Sequence, residues 1–192
     1  MPTNTAYLKA GRTPESDECL TPRYAVLPIV KYLKEKGFKT IWCPFDMPDS
    51  KYVTILRENN FKVFNSHIDC NLPYIGDFLK TYQDYVDDLG IDCIVSNPPF
   101  SKKDQILEHL YALDLPFMML LPQNTLQSIK RVHMFLENGL EYLGFDRRIN
   151  FYTRGELDAW KPNNHFASGY FCKNVLPEKL IFEKLTPIQE PY

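Results

Sequence analysis

Residues 96–101 read Ser96-Asn97-Pro98-Pro99-Phe100-Ser101, after the apolar run Ile91-Asp92-Cys93-Ile94-Val95 and before a segment of helical periodicity. That setting points to nucleophilic chemistry on an amine. Ile94 and Val95 end a buried strand, and the two prolines fix the chain as it leaves the sheet, where neither has an N–H to satisfy. Ser101 is expected to cap the next helix, with Asp104 as a partial capping box and Ile106, Leu107, Leu110 and Tyr111 as its apolar face. A polar loop held between a strand's carboxyl end and a helix start is where open α/β sheets keep their sites.

The elements that must position this loop are legible in the rest of the chain. Thr21-Pro22 is read as a helix start, with Tyr24, Leu27, Val30 and Leu33 on one side and a stop near Gly37. Strands are expected at 40–43, 61–66, 92–95, 117–121, 141–145, 166–172 and 179–183, and helices at about 50–58, 75–87, 101–113 and 126–138. Strands alternating with helices imply an α/β doubly wound sheet, and 192 residues with 44% hydrophobic content suit one domain spanning 1–192.

Composition narrows the partners. The formal charge of −2 means that any nucleic-acid contact must come from a local basic patch. Five widely spaced cysteines, without a Cys-x-x-Cys pair, read as reduced packing residues, and the spacing of His67, His109, His133 and His165 supplies no metal site. No run of about 18 apolar residues appears and the first residues lack a signal peptide's pattern, so a cytoplasmic protein without a membrane segment is expected.

Asn97-Pro98-Pro99-Phe100 resembles the motif IV loop of the amino-methyltransferases, most closely the branch that methylates adenine N6 with S-adenosylmethionine. The resemblance implies a Rossmann-like class I methyltransferase fold: a seven-stranded mixed sheet with helices on both faces and a late antiparallel hairpin formed by the final two strands. It also implies roles. An adenine amine delocalises its lone pair into the ring, so two acceptors must hold its hydrogens; these would be the Asn97 side-chain oxygen and the Pro98 carbonyl, with Phe100 stacked on the base and Pro99 stiffening the loop.

Other segments resemble further motifs of that family. Glu18 to Pro22 is similar to motif X, which places Thr21 near the cofactor's methionine end, and Gly76-Asp77-Phe78 is similar to motif III, where Asp77 would accept from the cofactor's adenine amine and Phe78 would pack on that ring. An acid at a helix start is also ordinary surface chemistry. Motif I departs from the family: Cys43-Pro44-Phe45-Asp46-Met47-Pro48-Asp49-Ser50 retains Pro44 and Phe45, has Cys43 in place of the acid and lacks both glycines. Asp46 or Asp49 would then take over the cofactor contact, or cofactor binding would be lost. After the second strand His67 stands where the family has a ribose-binding acid, with Asp69 two residues on.

Around the target, Leu121 to Thr125 resembles motif VI, although Asn124 and Thr125 also suit helix capping, and Phe166 would clamp an extruded base unless it simply packs in the core. Lys102, Lys103, Lys130, Arg131, Arg147 and Arg148 offer phosphate contacts, and the loop 146–165 mixes arginines with aromatic rings suited to strand contact. The motif order is like the gamma group of DNA adenine methyltransferases without a target-recognition domain, a minimal form that suits a phage or mobile-element enzyme. The expected function is N6 methylation of adenine in nucleic acid, DNA before RNA. Protein glutamine and guanine N2 are alternative targets, and a binding module that has lost catalysis is the alternative of another class.

Overall fold

Side chains of the central strands alternate in direction, and both faces are apolar. Ile41, Cys43, Cys93, Val95, Met118 and Leu120 point into one core, while Trp42, Ile94, Phe117, Met119 and Leu121 point into the other. Strands buried on both faces read as continuous apolar runs, as Phe117–Pro122 does, and require helices on either side.

The computed structural model describes residues 19–67, 77–81, 83–153, 157, 166–188 and 192. Its strands are β1 (Cys19–Leu20), β2 (Thr40–Cys43), β3 (Lys62–Asn65), β4 (Cys93–Ser96), β5 (Phe117–Pro122), β6 (Glu141–Phe145), β7 (Tyr152–Thr153), β8 (Ser168–Lys173) and β9 (Leu180–Glu183). The helices are α1 (Arg23–Val26), α2 (Val30–Glu35), α3 (Lys51–Glu58), α4 (Gln83–Leu89), α5 (Lys103–Ala112) and α6 (Ile129–Asn138). A seven-stranded mixed sheet runs in the order β3-β2-β4-β5-β8-β6-β9, and β1 and β7 form a separate antiparallel pair. Residues of α1 to α3, such as Val26, Leu33, Val53 and Leu56, fill the first core; Val86, Ile106, Leu110 and Met134 of α4 to α6 fill the second. Each fully buried aliphatic side chain contributes about 1.5–3 kcal/mol.

The expected hairpin of the last two strands is corrected. β8 lies antiparallel between β5 and β6, and β9 pairs parallel with β6 at the sheet's edge, so β8 and β9 do not touch as neighbours. Gly169 permits this insertion: a Cβ there would meet the Tyr142 ring and the Leu143 carbonyl, so only glycine lets β8 lie flat beneath Tyr142.

Helix starts also differ from the expectation. The first helix breaks at Pro28 into α1, a 3-10 turn over Leu27–Ile29 and α2, because proline removes an internal N–H; Leu27 is left 44% exposed rather than on the buried face. Residues Phe100–Lys102 form a 3-10 turn, α5 begins at Lys103, and its N-cap is Lys102 without a side-chain cap, so Ser101 is not the cap. Leu126 likewise ends a 3-10 turn and α6 starts at Ile129. The segment expected as a helix over 75–87 is a 3-10 turn at Phe78–Lys80 followed by α4, with 75–76 outside the described residues.

Among the described residues no helix is long and apolar enough to cross a membrane. Cys43, Cys93 and Cys172 are free and buried, and burial pushes their thiols well above the ordinary value, which leaves them as packing groups. Cys70 lies outside the described residues.

Candidate functional site

The chain leaves β2 toward β3 on one side and returns to β4 on the other, so the strand order reverses between β2 and β4. Such a crevice at the carboxyl ends of parallel strands is the usual ligand position in an open α/β sheet. Two polar side chains meet there. The Ser96 hydroxyl, at the end of β4, donates to Asp46 Oδ2 in the loop that follows β2. Ser50, the N-cap of α3, lies close enough to the Asp46 carboxyl to favour its charged form, and its hydroxyl accepts from Val53 N at 3.3 Å.

The loop over Pro44–Ser50 is held by side chains. Asp46 N donates to Ser66 O at 3.0 Å, Asn65 Nδ2 donates to Asp46 O at 3.2 Å, and Ser66 Oγ donates to Pro44 O at 3.3 Å. Trp42 Nε1 in turn donates to Ser66 Oγ at 3.1 Å. Asp46 is 7% exposed, and burial raises its carboxyl from 3.8 to about 6 against the opposing hydroxyls of Ser96 and Ser50. Among the described residues no lysine or arginine helps to set its pKa. A buried carboxylate with only hydroxyl partners is poorly neutralised, and a cationic ligand would complete it.

Asn97 follows directly. Its Nδ2 donates to Cys19 O at 2.7 Å, where the β1–β7 pair brings the chain alongside the loop. Because a carbonyl only accepts, this bond fixes the amide's orientation and turns Oδ1 the other way. Oδ1 is buried and has no hydrogen-bond partner among the described residues. An unsatisfied buried acceptor costs about 1–3 kcal/mol, so this oxygen marks a place where a further donor is called for. Pro98 is buried and Pro99 is the N-cap of the 3-10 turn. Phe100 is only 5% exposed and meets Phe166 edge to face at 5.5 Å, while Phe166 stacks on Phe151 at 6.0 Å.

The sequence matches no protein-family model and no curated protein. What this crevice can do is therefore decided by its own residues.

Several expected residues gather around it. Thr21 is buried beside the Tyr52 hydroxyl, outside hydrogen-bond geometry, and Tyr52 OH lies 2.9 Å from Tyr170 OH, which donates to Ala25 O at 3.1 Å. Phe45 is half-buried with its ring against Phe78 at 5.1 Å, and Phe78 also meets Trp42 at 5.3 Å and His109 at 4.9 Å. His67 is half-buried beyond the end of β3. Asp77 caps the 3-10 turn by accepting from Leu79 N at 3.2 Å and pairs with Lys80 at 3.4 Å. Asp69 lies outside the described residues, and Asp49 is exposed.

The basic residues divide. Lys102 is exposed, and Lys103 Nζ donates to Phe100 O at 3.2 Å, beside the Asn97 loop. Arg147 and Arg148 are exposed beyond the carboxyl end of β6, and Arg147 pairs with Asp146 at 3.1 Å. Lys130 pairs with Glu108 at 2.5 Å. Arg131, expected as a phosphate contact, is buried: it donates to Thr125 O at 2.6 Å and Gln127 O at 2.9 Å and pairs with Asp104 at 2.7 Å. It braces the turn after β5.

The sequence reading missed Ser96, Ser50 and the Tyr52–Tyr170 pair. A serine closing an otherwise apolar strand was the available signal for Ser96. Thr125 and Ser168 add two more buried hydroxyls without partners among the described residues, near the ends of β5 and β8 where Pro122 pairs with Ser168. Among the described residues no group of three or more His, Cys, Asp or Glu side chains is placed to hold a metal ion.

Proposed function

We propose that this chain is an S-adenosylmethionine-dependent methyltransferase of the amino class, acting on adenine N6 in nucleic acid, with DNA ahead of RNA. The observation that carries the reading is the buried Oδ1 of Asn97, which has no partner among the described residues, in the crevice between β2 and β4. An exocyclic amine presents the N–H donor that this oxygen lacks. Holding that hydrogen together with the Pro98 carbonyl orients the amine's lone pair without requiring a base before attack. When bound, the cofactor supplies a methyl group already activated on a sulfonium.

Asp46 is the residue suited to the cofactor's cationic amine, since it is a buried carboxylate without a cation of its own among the described residues. Phe45 offers half-buried aromatic surface nearby, whereas Phe78 is enclosed in the second core behind it, and Thr21 lies on the side of β1. Lys102, Lys103, Arg147 and Arg148 would meet phosphates, and Phe166 would border the base.

A second reading, a methyltransferase-fold module without catalysis, has one observation in its favour. The loop after β2 contains no glycine, and the first amide of α3, Lys51 N, is taken by the Tyr192 hydroxyl at 3.3 Å. Calorimetry with S-adenosylmethionine separates the two. The enzyme reading expects binding at about pH 7.5, weakening below pH 6 as Asp46 protonates, and loss of that pH dependence in Asp46→Asn. No heat at millimolar ligand would leave the binding module.

A further inference from the structure

The strand β9 closes one edge of the sheet, and its outward ladder is unpaired among the described residues. Leu180 is 56% exposed and Phe182 67%, an unusual load of apolar surface for an edge strand, which ordinarily carries charge to prevent pairing. Which backbone groups face outward follows from the bonds to β6. Tyr142 N donates to Lys179 O at 2.8 Å and Asp146 N donates to Glu183 O at 3.1 Å, so the odd residues of β9 face β6. The N–H and C=O of Leu180 and Phe182 therefore point away from the sheet.

The segment Glu178-Lys179-Leu180-Ile181-Phe182-Glu183-Lys184 is complementary to itself when reversed. Antiparallel pairing of two copies about a two-fold axis at Ile181 sets Leu180 opposite Phe182, Lys179 opposite Glu183 and Glu178 opposite Lys184. Each pair then lies on one face of the joined sheet. The same register makes Leu180 and Phe182 the hydrogen-bonded pair, which their outward groups require, and leaves Ile181 at the non-bonded position on the axis. Moving the axis to Leu180 places Phe182 opposite Glu178, and moving it to Phe182 places Leu180 opposite Lys184. Both alternatives set an apolar side chain against a charge.

Glu183 suits the arrangement, because its hydrogen bonds from Lys31 and from Tyr32 fall on Oε1, which leaves Oε2, without a partner among the described residues, for Lys179 of the second copy. We propose that β9 is an isologous interface through which two copies of this chain join their sheets, in the register centred on Ile181. An edge-strand contact is small, so the dimer should be weak and concentration-dependent, as transient interfaces are. The proposal is independent of the catalytic reading, since β9 lies at the far end of the sheet from the β2–β4 crevice.

Sedimentation equilibrium on the full chain tests it. The unmodified protein should dimerise at concentrations up to about 300 µM. Leu180→Lys with Phe182→Lys sets like charges opposite each other and should give a monomer, whereas Leu180→Lys with Phe182→Glu restores opposite charges in the same register and should restore the dimer. Both sites are exposed, and unchanged melting temperatures would verify that the variants fold. A wild-type monomer throughout, a dimer that survives the double lysine, or a monomeric Lys/Glu variant would each overturn the proposal. Slow amide exchange at Leu180 and Phe182 in a monomer would overturn it too, by showing that another segment of the same chain covers this edge.

Discussion

Replacing Asp46 with asparagine should make the protein more stable at neutral pH. A carboxyl raised from 3.8 to about 6 by folding binds protons more tightly in the folded state, so its contribution is most favourable below pH 3.8 and is lost as pH rises through 6. Above that window the buried charge costs about 3 kcal/mol, since each tenfold change in proton affinity is about 1.4 kcal/mol. The asparagine side chain would carry no charge but would turn the charge-assisted bond from Ser96 into a neutral one, a loss of about 1 kcal/mol. The net gain is about 2 kcal/mol near pH 7.5, or about 4–8 °C in melting temperature for a chain of this size. Urea unfolding of both proteins across about pH 4 to 8 isolates the effect, because other titrating groups cancel in the difference. The gain should disappear near pH 4. A variant less stable at neutral pH, or a difference independent of pH, would refute the claim that Asp46 is a buried anion without a neutralising cation among the described residues. A residue kept at a cost to stability is one expected at a functional site.

Other consequences follow from single contacts. Gly169→Ala should destabilise by about 2 kcal/mol or more in chemical denaturation, because its Cβ would displace Tyr142 and strike the Leu143 carbonyl. Arg131→Met should cost about 2–3 kcal/mol and speed proteolysis of the turn at 123–127, since three acceptors lose a charged donor. Replacing Arg147 and Arg148 with alanine should weaken nucleic-acid binding alike for all sequences and flatten its salt dependence, measured by fluorescence anisotropy.

Most strands were legible because burial on both faces leaves apolar runs such as Phe117 to Leu121, and 141–145 was read to its last residue. Their pairing was not. Nothing local in 168–173 distinguishes a strand inserted between β5 and β6 from one that pairs with its successor, and only Gly169 beneath Tyr142 reveals it. Helix periodicity misplaced Leu27 because Pro28 resets the turn. In the candidate site the Asn97 loop was legible from its prolines, whereas the Asp46–Ser96 bond joins residues 50 apart and depends on which strands lie side by side. Arg131 looked like surface charge because its buried partners are backbone carbonyls, which any sequence offers.

Methyl transfer from labelled S-adenosylmethionine to adenine in single-stranded oligonucleotides, with the product identified as N6-methyladenine, tests the central claim most directly when the intact protein is compared with Asn97→Ala. The intact protein should transfer the methyl group and the variant should not, with cofactor affinity nearly unchanged, because Oδ1 of Asn97 would hold the target amine and not the donor. Substantial transfer by Asn97→Ala, or a methylated product at another atom, would contradict it.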